Sequence, residues 1–448
     1  MQQSCKECFQ ALGCFDYNAA NKLVNKAIKL SSGAGSVFAA LTKCESTYTS
    51  LEFLKSKLFR KDDFLVIQYI ETVKEIQNAV KTLKISPNGT DPLDVEYFID
   101  LCEGLQEFMV IRQAQIHIFR TIQNAFTDPK NDSIVKEIES LRERVNTYQL
   151  KKKMGPLGIG VEHELVMFHD LLMAHNAIVN YNFKDATIFM YTARMELNTW
   201  RELCSNQSYS EKSTNKLEET SKGFAWHNFF STNPEKQSKG GKRDASPNYM
   251  QWLKKFHSNL TANMTLYFMN VLLDREQIMG GDLRSLWKKI DKIDAEDYHG
   301  LIRSFRKKSG AHSVALIYEV TDDIKFHQQG YVCAGVPYEK PTGKNSFPFI
   351  YCYPKDLPKE HWPNIISIMQ SHDPTKSTPF YRNIPIHFYD KGFGSTYYMI
   401  RVDAHVGLVI IYMDKHATPD TAASEFIMSL ANRLSGLDIS QSLQKFND

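Results

Sequence analysis

At 448 residues, with 42% hydrophobic and 12% aromatic side chains, the chain is too long for one ordinary core and too apolar for wholesale disorder. Its 54 basic and 51 acidic residues leave a formal charge of +3, which excludes a global field for nucleic acid or anionic lipid. The basic runs Lys151-Lys152-Lys153, Lys239 to Arg243, and Arg303 with Arg306-Lys307-Lys308 are short and lack an interleaved stacking platform. They read as solvated helix ends and a loop.

The opening residues, MQQSCKECFQALG, have no charged-then-apolar signal profile, and Gln2 stands where N-myristoylation needs glycine. The longest apolar run, Val406 to Met413, is about half of what crosses a bilayer. Eight scattered cysteines form no disulfide framework, so a reducing, cytoplasmic compartment is expected, with no membrane anchor of the chain's own.

Amphipathic helices dominate the first two-thirds. Val66, Tyr69, Val73, Ile76, Val80 and Leu83 step by three and four along one stripe. Asp62 or Asp63 can cap that helix, and Ser86-Pro87-Asn88-Gly89 ends it. A second helix begins near Asp94, carries Phe98, Leu101, Leu105, Phe108, Phe119, Ile122 and Phe126, and stops before Asp128-Pro129. A third follows Ile134, Ile138, Leu141, Val145 and Tyr148. The glycine-rich run Gly155 to Gly160 is expected to break the pattern before a helical stretch that reaches Leu172. Ala186, Met190, Ala193, Leu197, Trp200 and Cys204 continue at helical spacing, and short connections predict antiparallel packing in a bundle.

Residues 205–248 turn to Ser, Asn, Lys, Glu and Gly, which predicts a mobile insertion. Its aromatic island, Phe224 to Phe230, is expected to dock back on the bundle or to insert into a partner. Helical pattern resumes with Leu253, Phe256, Leu260, Met264, Tyr267 and Val271, then Gly280-Gly281 and a linker helix near Leu286-Trp287.

Beyond residue 295 the period changes. A helix, Tyr298 to Lys308, precedes strands at Ser313 to Val320 and Pro348 to Tyr353. Trp362-Pro363 sets the entry to a helix through Gln370. Strands follow at Ile384 to Tyr389, Ser395 to Arg401 and His405 to Met413, with turns at Gly392 to Gly394 and Val402-Asp403-Ala404. Thr418-Pro419 is expected to open the last helix, which buries Phe426, Leu430 and Leu434. The fold class is therefore multi-domain α and α+β: a helical bundle over residues 1–280, a linker helix over 281–297, and an antiparallel-sheet α+β docking domain over 298–448. By element order that last domain resembles the roadblock/longin (profilin-like) group, an analogy that does not by itself fix function.

No catalytic constellation emerges. His163, His169 and His175 are spaced by six, off one another's helical face, and His163-Glu164 does not continue into HExxH. His361, His387 and His405 share no ligand spacing. Cys5 and Cys8 form a lone CxxC that follows no strand, and Gly33-Ala34-Gly35 lacks both the strand and the third glycine of a dinucleotide loop. Asp390 and Asp403 are explained by turn chemistry. The chain reads as a non-enzyme needing no cofactor and no metal.

The last hundred residues carry His361-Trp362-Pro363-Asn364 followed by an apolar run to Met369, then His387-Phe388-Tyr389-Asp390, Ser395-Thr396-Tyr397 and Val409-Ile410-Ile411. In these segments, taken in order, the sequence closely resembles the KICSTOR complex subunit 2 family. Upstream, Leu197-Asn198-Thr199-Trp200 and Tyr267-Phe268 fall where the family has similar helix segments, while the N-terminus and residues 205–248 depart from it. The resemblance implies a scaffold subunit that works with other KICSTOR-like subunits. Through them it would bring the GATOR one complex, a Rag GTPase-activating assembly, to the lysosome, restraining mTOR complex 1 signalling when amino acids or glucose are scarce. It also implies peripheral lysosomal residence through partners, with no nucleic acid and no membrane insertion. Two other readings stay open: a longin-type vesicle-traffic adaptor, and an enzyme with an unrecognised site between the two domains.

An adaptor without a charge field binds through an aromatic patch rimmed by polar groups. Candidate contact residues are His361, Asn364, Phe388, Tyr389, Asp390, Ser395, Thr396 and Tyr397. Strand alternation sends Tyr397 and Tyr398 to opposite faces, so one is expected in the core and the other at the surface, with Trp362 in the core.

Overall fold

A computed structural model describes residues 2–30, 32–54, 64–85, 92–125, 131–207, 246–278, 280, 295–322, 324–355, 359–370, 384–416 and 420–445. The chain is mainly helical, with fifteen helices among the described residues and one five-stranded antiparallel sheet. The helices are α1 Gln2–Gly13, α2 Tyr17–Leu30, α3 Ser32–Thr49, α4 Phe64–Ile85, α5 Pro92–Ala125, α6 Asn131–Thr147, α7 Leu150–Met154, α8 Pro156–Val179, α9 Phe183–Gln207, α10 Asn248–Tyr267 and α11 Met269–Ile278. Beyond them come α12 Tyr298–Ser309, α13 Trp362–Gln370, α14 Thr421–Leu434 and α15 Leu437–Lys445. The expected caps at Asp62 or Asp63, the stop at Ser86 to Gly89, the aromatic island and the linker helix at Leu286-Trp287 lie outside the described residues.

The helical stripes do bury. Tyr69 and Ile76 are sealed in the core, with Val66, Val73 and Val80 packed against it. The glycine-rich break is narrower than its sequence suggests. Only Gly155, at φ +51, interrupts the helices, and Pro156 opens α8 in its first turn, where the missing N–H costs nothing. Gly158 and Gly160 are inside α8, where a neighbour leaves no room for a side chain at Gly158 and only a tight fit at Gly160. A Cβ on Gly158 would stand 2.3 Å from the Leu150 carbonyl oxygen, and one on Gly160 would stand 3.3 Å from the Trp200 indole nitrogen.

The strands are β1 Ser313–Tyr318, β2 Phe349–Tyr353, β3 Ile386–Asp390, β4 Ser395–Arg401 and β5 Val406–Tyr412, in spatial order β2-β1-β5-β4-β3. Registers such as Ala315 opposite Val409 and Tyr397 opposite Ile411 place the two sets of alternating side chains on different faces. Leu316, Tyr318, Tyr398, Ile400 and Ile410 join the main core with α14, while Ile317, Tyr397, Met399, Val409 and Ile411 form a second core with Ile365 and Met369 of α13. A sheet covered on both sides explains why β5 is a continuous apolar run without alternation. It also corrects the expectation for the tyrosine pair: they do point to opposite faces, but both are fully buried.

The opening expected at Thr418-Pro419 lies outside the described residues; within them Asp420 caps α14, its Oδ1 accepting from the Ala422 amide at 3.1 Å. The helix α15 was not anticipated.

The helices and the sheet share one hydrophobic cluster running from Cys5 to Leu443. At the seam the Trp252 indole N–H donates to the Ile439 carbonyl at 3.0 Å. Asn259 and Asn263 donate to the carbonyls of Arg433 and Leu434, each at 3.0 Å, satisfying orphan groups at the C-terminus of α14. Tyr181 also packs against Phe268 and Phe326, ring centroids 4.8 and 4.9 Å away, and Tyr318 packs on Phe326 at 5.1 Å.

Candidate partner-contact face

The two edges of the sheet differ. The β2 edge is covered by α10 and α11, and Asn270 of α11 donates its side-chain N–H to the Ile350 carbonyl at 3.0 Å. The other edge is β3, which among the described residues pairs only with β4.

The β3–β4 hairpin turns around Asp390. Its Oδ1 accepts the Gly392 amide at 2.7 Å and the Phe393 amide at 3.3 Å, while its other oxygen accepts from the Asn364 side chain of α13. Gly394, at φ +63, completes the turn with a conformation L side chains rarely adopt. Beneath it, the His361 imidazole is paired with the Tyr397 hydroxyl. Burial holds His361 below its ordinary pKa of 6.5 and pushes the Tyr397 phenol up, so both stay neutral at pH 7.

Over this buried pair lie two solvent-facing rings. Phe388 is 43% exposed and stacks on Tyr397 at 6.3 Å; Phe393 is 50% exposed and lies 5.4 Å from His361. Exposed aromatics anchored on a rigid polar pair and bordered by Asn364, Asp390 and Lys391 form a small amphipathic patch.

Of the eight residues singled out by sequence, six converge on this face: His361, Asn364, Phe388, Asp390, Ser395 and Tyr397. Only Phe388 is exposed. His361, Ser395 and Tyr397 are buried beneath it, and Asn364 and Asp390 are half-buried. Alternation sends Tyr389 and Thr396 to the other face, where Lys415 lies 5.5 Å from the Tyr389 ring and the Thr396 hydroxyl donates to the Asp414 carbonyl at 2.8 Å. Trp362, expected in the core, is half-buried: its indole donates to the Phe347 carbonyl at 3.0 Å and its ring packs on Phe349. The sequence pattern does not single out Phe393, because it lies in a turn outside the strand alternation.

The densest buried charge lies elsewhere, among α3, α4, α5 and α8. Arg112 donates through Nε and Nη2 to Glu45 at 3.1 and 2.8 Å and through Nη1 to Glu164 at 2.7 Å. The Tyr69 hydroxyl donates to Glu45 at 2.8 Å and the Tyr48 hydroxyl to Glu164, while the guanidinium stands 4.2 Å from the Tyr48 ring centroid. Burial raises the Glu164 carboxyl above its ordinary 4.5, against the opposing pull of Arg112.

The family model described as "KICSTOR complex C12orf66 like" matches residues 2–445. The chain belongs to this family. Among its relatives is KICSTOR subunit 2 of Xenopus laevis, 26% identical over 445 residues, covering 96% of this chain and 93% of the relative. KICSTOR subunit 2 of Danio rerio is 23% identical over 444 residues, covering 95% and 92%. The likeness spans the helices and the sheet alike, so the whole architecture is set within the KICSTOR family.

Several described histidines are paired within the fold. His163 pairs with Glu196, His169 with Asp170 at 2.9 Å, and His387 with the His416 carbonyl at 3.1 Å. His361 and His387 sit on opposite sides of the sheet, against Tyr397 and Tyr398 respectively. Among the described residues no three His, Cys, Asp or Glu side chains converge as ligands for a metal. Cys5 and Cys8 are both buried, and burial pushes the Cys8 thiol up to about 12. A cleft of about 940 Å³ opens beside α1, α5 and α7; its Lys153 is paired with Asp100 at 2.8 Å.

Proposed function

We propose that this chain is a non-enzymatic adaptor subunit of a KICSTOR-like complex. In this reading it helps recruit the GATOR one Rag GTPase-activating complex to lysosomes and so restrains mTOR complex 1 signalling when amino acids or glucose are scarce. The single observation that carries the reading is the family match over residues 2–445. Its partners are the other KICSTOR-like subunits and, through them, the GATOR one complex. Lysosomal residence comes through those partners; among the described residues no helix is long and apolar enough to cross a membrane.

The reading assigns residues 1–280 to a helical-bundle scaffold and 298–448 to a docking domain of roadblock/longin type, joined by 281–297. The strand order β2-β1-β5-β4-β3, with one edge covered and both faces packed, supports that assignment. Docking falls on the β3 edge and its exposed rings, Phe388 and Phe393.

Affinity purification of the tagged full-length protein from its own cells, with and without amino acids, tests the proposal. Co-purification with KICSTOR-like subunits and GATOR one components is expected. Recovery of vesicle-traffic machinery in their place would replace it with the longin-type adaptor reading.

A further inference from the structure

We propose that Cys14 and Cys204 are a redox pair that closes to a reversible disulfide, tying the end of α1 to the end of α9. The two thiols lie far apart in the chain, yet they are hydrogen-bonded to each other. The Cys204 sulfur also lies 3.7 Å from the Gly13 carbonyl oxygen, next to Cys14. Both residues are partly exposed, and neither is in a disulfide.

The surroundings hold the pair in place. Trp200 is one turn before Cys204 on α9, so the two share a face, and Trp200 packs on Phe15 at 6.0 Å. Two adjacent contacts, 14 with 204 and 15 with 200, therefore register the chain after α1 against α9. Gly13 presses on α8 so tightly that a Cβ there would stand 2.5 Å from the Pro156 carbonyl carbon. Little backbone movement is left to separate the thiols.

Their chemistry is asymmetric. The hydrogen bond from Cys204 lowers the Cys14 thiol below its ordinary value, while Cys204 itself is raised. Cys14 is assigned as the nucleophile, and Cys204, whose S–H donates to the Gly13 carbonyl, as the resolving thiol. Three other cysteines serve as internal controls: burial pushes Cys8, Cys44 and Cys102 up to about 12.

With a hydroperoxide as oxidant, the Cys14 thiolate attacks the distal peroxide oxygen. The O–O bond breaks, and the alcohol leaves with a proton, giving a sulfenic acid on Cys14. Cys204 sulfur then attacks the Cys14 sulfur, expelling hydroxide that takes the Cys204 proton as water. Two thiols and one hydroperoxide become one disulfide, one alcohol and one water. A dithiol reductant reverses the step by exchange, becoming a disulfide itself.

The test uses the full-length reduced protein with hydrogen peroxide, quenching by alkylation, and peptide mapping without reduction. The expected result is a Cys14–Cys204 cross-linked peptide that appears before Cys8 or Cys102 is modified and disappears with dithiothreitol. In the Cys204→Ser chain, a dimedone-trapped sulfenic acid should accumulate on Cys14 instead. Without oxidant, Cys14 should alkylate faster than the buried Cys8 at neutral pH. The proposal is overturned if Cys333 or Cys352 is oxidised while Cys14 and Cys204 remain separately alkylated. A cross-link found only in unfolded chain, or only between molecules, overturns it equally.

Discussion

At the scale of single residues, the Arg112 cluster decides most. A guanidinium removed from water is tolerable only because two carboxylates and the Tyr48 ring surround it, and removing one partner leaves uncompensated charge. Arg112→Met should therefore lower stability by about 3–5 kcal/mol, read by urea unfolding at pH 7. Glu164 adds a pH dependence of definite sign. Its carboxyl is raised by burial above the ordinary 4.5, so just above that pH the folded chain keeps a proton that the unfolded chain has released. Its contribution to stability is complete below 4.5 and is lost as pH rises through the folded value. Subtracting the unfolding free energy of Glu164→Gln from that of the natural chain should give a difference that falls over this window. A difference that rises with pH would show that the carboxyl is lowered on folding, as Arg112 alone would make it.

At the scale of elements, local propensity and packing give opposite signs at Gly158. Alanine in mid-helix is favoured over glycine by about 1 kcal/mol, yet the added methyl would meet the Leu150 carbonyl at 2.3 Å. Gly158→Ala should destabilise by about 1–3 kcal/mol, because α7 has to move; a raised melting temperature would refute the close approach. The β3–β4 hairpin separates structural from docking roles in the same way. Asp390 is a turn acceptor for two backbone amides and the Asn364 side chain, so Asp390→Ala should cost about 1–3 kcal/mol even in isolated protein. Phe388 is exposed, so Phe388→Lys should leave thermal unfolding within about 0.5 kcal/mol of the natural chain. On the proposed docking role, the same Phe388→Lys chain should recover less of the complex in affinity purification. Undiminished recovery would move the docking surface onto the helices.

At the scale of the whole molecule, the seam between helices and sheet is apolar and crossed by individual hydrogen bonds. Asp403 holds the β4–β5 turn through the His405 and Val406 amides, each at 2.8 Å, and accepts the Tyr267 hydroxyl of α10 at 2.6 Å. Tyr267→Phe removes that last donor from a buried carboxylate and should cost about 1.5–3 kcal/mol. Because the hydrophobic cluster is continuous through the seam, helices and sheet should melt in one calorimetric transition, and the variant should shift the whole of it. Two resolved transitions, with only one shifted, would mean the seam does not couple them.

What the sequence determined by itself was whatever depends on neighbours in the chain. Helical spacing marked α4 to α6 and α9, alternation and turn residues placed all five strands within two residues at each end, and Asp390 and Asp403 were recognisable as turn formers. Family kinship was legible because uncommon residues such as Trp362, Asn364 and His387 recur in order. Tertiary structure decided what depends on distant approach. Gly158 and Gly160 read as helix breakers until Leu150 is seen to occupy the space of a side chain at 158 and Trp200 to press close at 160. Tyr397 and Tyr398 alternate as predicted, but helices on both faces of the sheet bury both. The Arg112 cluster and the Cys14–Cys204 pair were invisible for the same reason: burial and pairing arise when segments far apart in sequence are brought together, and no local pattern encodes that encounter.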